Sequence, residues 1–213
     1  MISIVDLEDE GQIYSVSRQI EFLMFYDRIK YLVDFYNYSM KCYYDFLEQK
    51  HRDRKKIEDN IDEILKSAED QKIYVTEHEV FISIDEEILG IEMNYLEYQK
   101  MTLLIIMYSE VEKLIDNLIN LNQPAGNIKT LNDKLRSLCL NKGLNVAEIS
   151  YMLENFNTLR LIRNKLVHRY DYWDDEIVID GRSYIGIKQL TDSILEHLVN
   201  SITNSIKKLE ECY

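Results

Sequence analysis

The sequence predicts an all-α protein, a helical bundle with a long N-terminal helix and a minor β-hairpin. Three observations carry that expectation. Gly and Pro are scarce, six and one in 213 residues, too few for the tight turns of an all-β sandwich. Apolar residues recur at spacings of three and four over long stretches, the period of a helix with one buried face. A single Asp-Gly pair, Asp180-Gly181, is flanked by short β-branched runs, the pattern of a hairpin with a type I′ turn.

The elements follow in order. Phe22, Phe25, Ile29, Leu32, Tyr36, Tyr43 and Phe46 occupy a and d positions of a heptad, interrupted only at Ser39. The apolar stripe resumes at Ile57, Ile61, Ile64 and Leu65 after the polar run His51–Lys56. A helix, or two in line, is expected over 14–68, bent near that charged run, since about 80 Å of unbroken helix is unusual. Ile73, Val75, Val80, Ile82 and Ile84 are β-branched at mostly even spacing and predict one or two short strands over 72–84. A second helix is expected from Asp85, as its cap, to Asn122, where Gln-Pro-Ala-Gly stops it. A short helix over 130–140, a turn at Asn141-Lys142-Gly143, a third long helix over 146–169 and the hairpin follow. A final amphipathic helix carries Leu190, Ile194, Leu198, Ile202, Ile206 and Leu209. The expected organisation is an extension, residues 1–85, packed on a bundle formed by 86–213.

The chain carries 38 acids against 25 bases, a net charge of −13. That balance disfavours a protein that coats nucleic acid, which must displace phosphate counterions with positive charge. Cys42, Cys139 and Cys212 lie far apart, an odd number with no metal-ligand spacing, so neither a disulfide framework nor a metal centre is expected. The beginning of the chain lacks the basic and apolar regions of a secretory signal, and no apolar run reaches membrane-spanning length. A cytoplasmic location, with no membrane partner and no cofactor, is the expectation.

Chemistry concentrates in Leu159-Arg160-Leu161-Ile162-Arg163-Asn164-Lys165-Leu166-Val167-His168-Arg169-Tyr170. On a helix, Leu159, Ile162 and Leu166 fall within roughly 60° and face the core, whereas Arg163 and His168 stand about 140° apart. Asn164 and His168 are neighbours at i, i+4. One such helix cannot aim Arg163 and His168 at the same atom, but two packed face to face bring two of each into one cleft. A histidine moves protons near neutral pH, and a permanently charged arginine holds a phosphate and the charge that grows on it. On RNA the adjacent 2′-hydroxyl is the nucleophile, so no metal is required.

The run Arg163-Asn164-x-x-x-His168, late in a helical chain, resembles the HEPN superfamily of ribonucleases. A helix of the form Tyr-Ser-x-x-Glu, common in that family, is matched by Tyr108-Ser109-Glu110-Val111-Glu112. The resemblance covers about 92–213. It implies a metal-independent endoribonuclease that acts as a homodimer on single-stranded RNA and serves as a toxin or anti-phage effector. By the same resemblance Arg163, Asn164, His168 and Glu112 are the catalytic set, with Glu110 the alternative to Glu112. Tyr170 extends the motif to Arg-x4-His-x-Tyr, similar to HEPN toxins whose nucleotidyltransferase antitoxin adds AMP to the equivalent tyrosine, which makes Tyr170 a regulatory candidate. Arg160, Lys165 and Arg169 are the RNA-contacting candidates. The alternative is a non-catalytic HEPN-like scaffold or partner-binding module.

The negative charge is uneven. Residues 127–169 hold eight bases against three acids, a surplus of five, which leaves −18 for the remainder. A small basic site in an acidic shell can still hold phosphates. The heptad tyrosines of the first helix are expected in a core or a dimer contact rather than stacked on bases. His51, His78 and His197 are expected to be structural or solvent-facing.

Overall fold

The computed structural model describes residues 1–4, 20–122, 130–168, 173 and 175–213. These contain six α-helices and one two-stranded sheet. The helices are α1 (Ile20–Asp59), α2 (Ile61–Asp70), α3 (Glu77–Asn122), α4 (Leu131–Asn141), α5 (Val146–His168) and α6 (Asp192–Glu210). Between α5 and α6 lie strands β1 (Ile177–Ile179) and β2 (Arg182–Tyr184). The fold is all-α with a minor hairpin. Among the described residues no helix is long and apolar enough to cross a membrane.

The chain forms two compact units, one of Met1–Asn37 with Lys100–Tyr213 and the other of Tyr38–Gln99. Residue 85, the expected boundary, lies inside α3.

In the larger unit the cores of α1, α3, α4, α5 and α6 are built from apolar residues at helical spacing. Phe22, Ile29 and Tyr36 of α1, Leu104, Val111 and Leu118 of α3, and Leu135 of α4 are fully buried. So are Met152, Phe156, Leu159 and Ile162 of α5 and Leu195, Val199, Ile202 and Ile206 of α6. Burying one such side chain contributes about 1.5–3 kcal/mol, so this interior dominates stability. The heptad reading of α1 holds from Phe22 to Tyr43, including buried Ser39, but Phe46 is exposed. Hydroxyls at the rim fix the pairing of α1 with α6. Tyr26 donates to Glu210 at 2.8 Å, and Tyr36 donates to Asp192 at 2.9 Å. Burial, with Glu210 beside it, raises the Tyr26 phenol far above its ordinary value, so it remains a donor. The first four residues are fastened too. Asn37 reads Ile2 in both directions, accepting from its N–H and donating to its carbonyl, each at 2.8 Å.

In the smaller unit, which also contains α2, α1 and α3 run antiparallel, with Met40, Tyr43, Phe81 and Ile88 buried. Tyr43 stacks on Tyr95 at 5.4 Å, Lys50 pairs with Glu87 at 2.7 Å, and Arg54 pairs with Asp85 at 2.6 Å while lying over the Phe81 ring. Exposed ion pairs of this kind contribute about 0–1 kcal/mol each.

Two sequence expectations fail in this unit. Residues 77–84 are the first turns of α3, not strand. The reason is a capping box, Thr76-x-x-Glu79, in which Thr76 Oγ1 accepts from the Glu79 N–H at 3.3 Å and the Thr76 N–H donates to Glu79 at 2.7 Å. Two otherwise orphaned donors are satisfied, which starts the helix at Glu77, eight residues before Asp85. Asp85 is therefore no cap but the partner of Arg54. The interruption of the first helix falls at Asn60, four residues beyond the charged run His51–Lys56. The Asn60 side chain there donates to the Lys56 carbonyl at 2.6 Å.

The later elements match their expected positions closely. Thr130 caps α4 through the Asp133 N–H, and α4 gives way to a turn in which Gly143 takes φ +80°, a conformation open to glycine at little cost. The hairpin pairs Ile177 with Tyr184 and Ile179 with Arg182. Asp180 and Gly181 have φ of +49° and +70°, both positive as a type I′ turn requires. Leu190 is buried but precedes α6.

The three cysteines are free thiols, with Cys42 exposed and Cys139 buried. Burial pushes the Cys139 thiol up to about 11, and a protonated, enclosed thiol is inert. An aromatic disulfide reagent at pH 8 is expected to modify Cys42 within minutes and Cys139 only after denaturant is added. Rapid modification of all three thiols in the native protein would contradict this packing.

Candidate functional site

Helix α5 presents the motif as its apolar period dictates. Leu159, Ile162 and Leu166 are buried, and Arg163 and Asn164 sit half-buried on the flank. Arg163 donates from Nη1 to Asn164 Oδ1 at 3.0 Å. The Arg163 guanidinium also lies 5.5 Å from the centre of the Tyr108 ring on α3, within cation–π range. Tyr108 in turn donates its hydroxyl to Glu112 at 2.9 Å. These residues form one chain of contacts, Glu112–Tyr108–Arg163–Asn164, which joins the two sequence motifs.

The electrostatics of that chain are coherent. Burial, reinforced by the hydrogen bond and charge of Glu112, pushes the Tyr108 phenol up to about 12, while the positive charges of Arg163 and Arg160 act the other way. The phenol is therefore a neutral donor at physiological pH and keeps Glu112 in place. Its ring supplies a negative face to the guanidinium. Glu110, the alternative acid, is engaged elsewhere and accepts from Arg28 of α1 at 2.8 Å.

The other expected residues divide. Arg160 donates to Asn157 at 2.7 Å, one turn back on the same helix. Lys165 pairs with Asp175 at 3.3 Å, so part of the local positive charge is neutralised within the chain. His168 is the last residue of α5 and exposed, and its side chain makes no hydrogen bond among the described residues. The helical offset of about 140° keeps it off the Arg163 flank. Arg169 and Tyr170 lie outside the described residues.

Tyr108 is the residue that sequence reasoning left without a role. Its signal was present in the i, i+4 spacing from Glu112, which brings the two side chains together on one helical face.

A second polar cluster escaped the sequence altogether. His197 Nε2 lies 3.0 Å from Asp180 at the hairpin tip and 3.3 Å from Ser201 Oγ. They line a cleft between α5, the hairpin and α6 that also includes Tyr151, Glu154, Asn155 and Thr158. It is not a nucleophilic triad. There the acid and the serine must engage different ring nitrogens, whereas here both meet Nε2, so Ser201 gains no base. Among the described residues no group of three or more His, Cys, Asp or Glu side chains could hold a metal ion.

No protein-family model, curated protein or solved structure matches the chain.

Proposed function

We propose that the chain is a HEPN-type endoribonuclease that cuts single-stranded RNA as a homodimer, in the role of a toxin or anti-phage effector in the cytoplasm. The observation that supports this most is the contact of Tyr108 with Arg163. It joins the Tyr-Ser-x-x-Glu turn of α3 to the Arg-Asn-x-x-x-His run of α5, two segments far apart in sequence that a coincidental motif would have no reason to unite.

In this mechanism Arg163, held by Asn164 and the Tyr108 face, binds the scissile phosphate and stabilises the charge that builds on it. His168 takes the proton from the 2′-hydroxyl as the 2′-oxygen attacks phosphorus. The bond to the 5′-oxygen breaks, and that oxygen leaves with a proton from the second imidazole or from water. The products are a 2′,3′-cyclic phosphate and a 5′-hydroxyl. Because one helix separates Arg163 from His168, the productive pair combines Arg163 of one copy with His168 of another. Glu112 acts through Tyr108 and is a positioning residue. Arg160 and Arg169 extend the phosphate track. Tyr170 is the position where an antitoxin nucleotidyltransferase would add AMP and silence the site.

The test is cleavage of a labelled single-stranded RNA by the purified chain in EDTA, with end-group analysis of the products. Fragments ending in cyclic phosphate are expected. Intact RNA, or cleavage that needs added magnesium, would refute the proposal and leave a non-catalytic module.

A further inference from the structure

Three arginines of the described chain are neutralised by acids. Arg28 pairs with Glu110 at 2.8 Å, Arg52 with Glu48 at 3.6 Å and Arg54 with Asp85 at 2.6 Å. Arg160 and Arg163 are held differently. Among the described residues neither meets a carboxylate, and each is fixed by the side-chain carbonyl of an asparagine. Arg160 donates to Asn157 Oδ1 from Nε at 3.3 Å and from Nη2 at 2.7 Å, and Arg163 donates to Asn164 Oδ1 from Nη1 at 3.0 Å. A neutral amide sets the direction of a guanidinium and leaves its charge whole. The acids of α3 are engaged elsewhere, Glu110 by Arg28, Glu112 by the Tyr108 hydroxyl and Asp116 by Lys134.

The two guanidiniums also belong to one patch. Arg160 and Arg163 stand three residues apart on α5, about 60° around its axis, where side chains are neighbours. Arg163 lies over the Tyr108 ring, and the positive charges of both arginines act on that phenol. Like charges at this spacing destabilise a helix, and a chain with 38 acids has left this pair uncancelled. A multiply charged anion relieves that repulsion. We propose that Arg160 and Arg163 form a clamp for a diphosphate, two linked phosphoryl groups, with one guanidinium fork on each. An RNA strand carries one negative charge per linkage and brings its next phosphate a whole nucleotide away. A diphosphate presents both groups across a single bridging oxygen, with charge enough for two cations, and planar forks suit such paired acceptors. Arg163 is also the group proposed to hold the scissile phosphate, so the inference rests on the ribonuclease reading for one consequence, that a bound diphosphate blocks cleavage. The binding itself is independent of it.

Calorimetric titration of the purified chain with inorganic pyrophosphate, without RNA or magnesium, tests the clamp. Pyrophosphate is expected to bind at least about tenfold more tightly than orthophosphate, since it gains a second set of charge-assisted hydrogen bonds. Arg160→Ala and Arg163→Ala should each weaken pyrophosphate by about 10–100-fold and erase that advantage. Arg160→Lys keeps the charge without the fork, so it should lose less, and it carries the test if the alanine variant unfolds. Arg182→Ala, at an exposed position on β2, is expected to bind like the native chain. Equal affinity for the two anions, or pyrophosphate binding indifferent to Arg160→Ala, overturns the clamp. ADP and a 5′-triphosphate oligonucleotide, with its 5′-hydroxyl form as reference, separate two sources of the diphosphate. ADP bound as tightly as pyrophosphate assigns a free nucleotide, and the triphosphate oligonucleotide bound with ADP excluded assigns an RNA end. Rejection of both overturns the inference. In the cleavage assay, saturating pyrophosphate is expected to inhibit, and undiminished cleavage would overturn the shared role of Arg163. Binding that depends on Arg160 in a chain that cuts no RNA would keep the clamp and remove the ribonuclease reading.

Discussion

Arg163→Ala and His168→Ala are each expected to lower RNA cleavage by about 10²–10⁴-fold, the range for losing a proton-transfer group or a charge stabiliser. The two losses should arise with little change in stability. His168 is exposed at the end of α5, where a charged imidazole contributes about 0.3–1 kcal/mol through the helix dipole. Arg163 gives up its contacts with Tyr108 and Asn164, worth on the order of 1 kcal/mol together. Single-turnover rates and thermal melts on the same preparations separate the two effects. Arg163→Lys, which keeps the charge but not the planar fork, should recover only part of the rate. The most discriminating measurement is a mixture of Arg163→Ala and His168→Ala chains. If the working pair spans two copies, the mixed dimer contains one intact Arg163–His168 combination and activity partly returns. A mixture as inactive as its components would place both groups within a single chain, and losses below tenfold in both variants would refute their catalytic roles.

Much of the bundle could be read from sequence because its signals are local. Leu159, Ile162 and Leu166 repeat at helical spacing and are buried as expected, and Asp180-Gly181 forms its turn because only a few residue types accept positive φ. The misread stretch, residues 72–84, shows how one local signal hides another. The alternation of Val80, Ile82 and Ile84 imitates a strand, yet Phe81, Ile84 and Ile88 are the inward positions of a helix, with Phe81 and Ile88 buried. Short apolar runs fit either period, and the Thr76–Glu79 capping box was the clue that decided between them. Side-chain partnerships were the least legible, because they depend on distant elements. Nothing in the spacing of Glu110 and Glu112 says that one meets Arg28 and the other Tyr108. Nor does the sequence announce that His197 meets a carboxylate at the tip of a hairpin.

Net charge was similarly coarse. The surplus of bases over 127–169 suggested a positive face, but Lys134 is paired with Asp116 and Lys165 with Asp175. What the fold leaves beside Tyr108 is the pair Arg160 and Arg163. In the proposed mechanism the placement of these few charges matters more than their number, since a guanidinium fixed by Asn164 and an aromatic face would need little reorganisation to meet a phosphate.

Trp173→Ala is expected to destabilise the protein by about 3–5 kcal/mol, the cost of emptying the space of a large buried aromatic side chain. Trp173 is completely buried, and its backbone N–H donates to the Ile185 carbonyl at 2.9 Å, just beyond β2. Trp173 is thereby tied to the hairpin, whose tip Asp180 engages His197. For a protein of this length, such a loss corresponds to a fall of roughly 10 °C in melting temperature. Trp173→Phe separates packing from hydrogen bonding. The indole Nε1 is buried with no partner among the described residues, and an unsatisfied buried donor carries a cost of about 1–3 kcal/mol. Phenylalanine retains most of the apolar contact and removes that donor, so its net effect should stay below about 1.5 kcal/mol. Denaturant titrations of the two variants measure this difference directly. Equal destabilisation by Ala and Phe would mean that the indole N–H is engaged in the folded protein. A negligible effect of both would remove Trp173 from the core that holds the hairpin against α5.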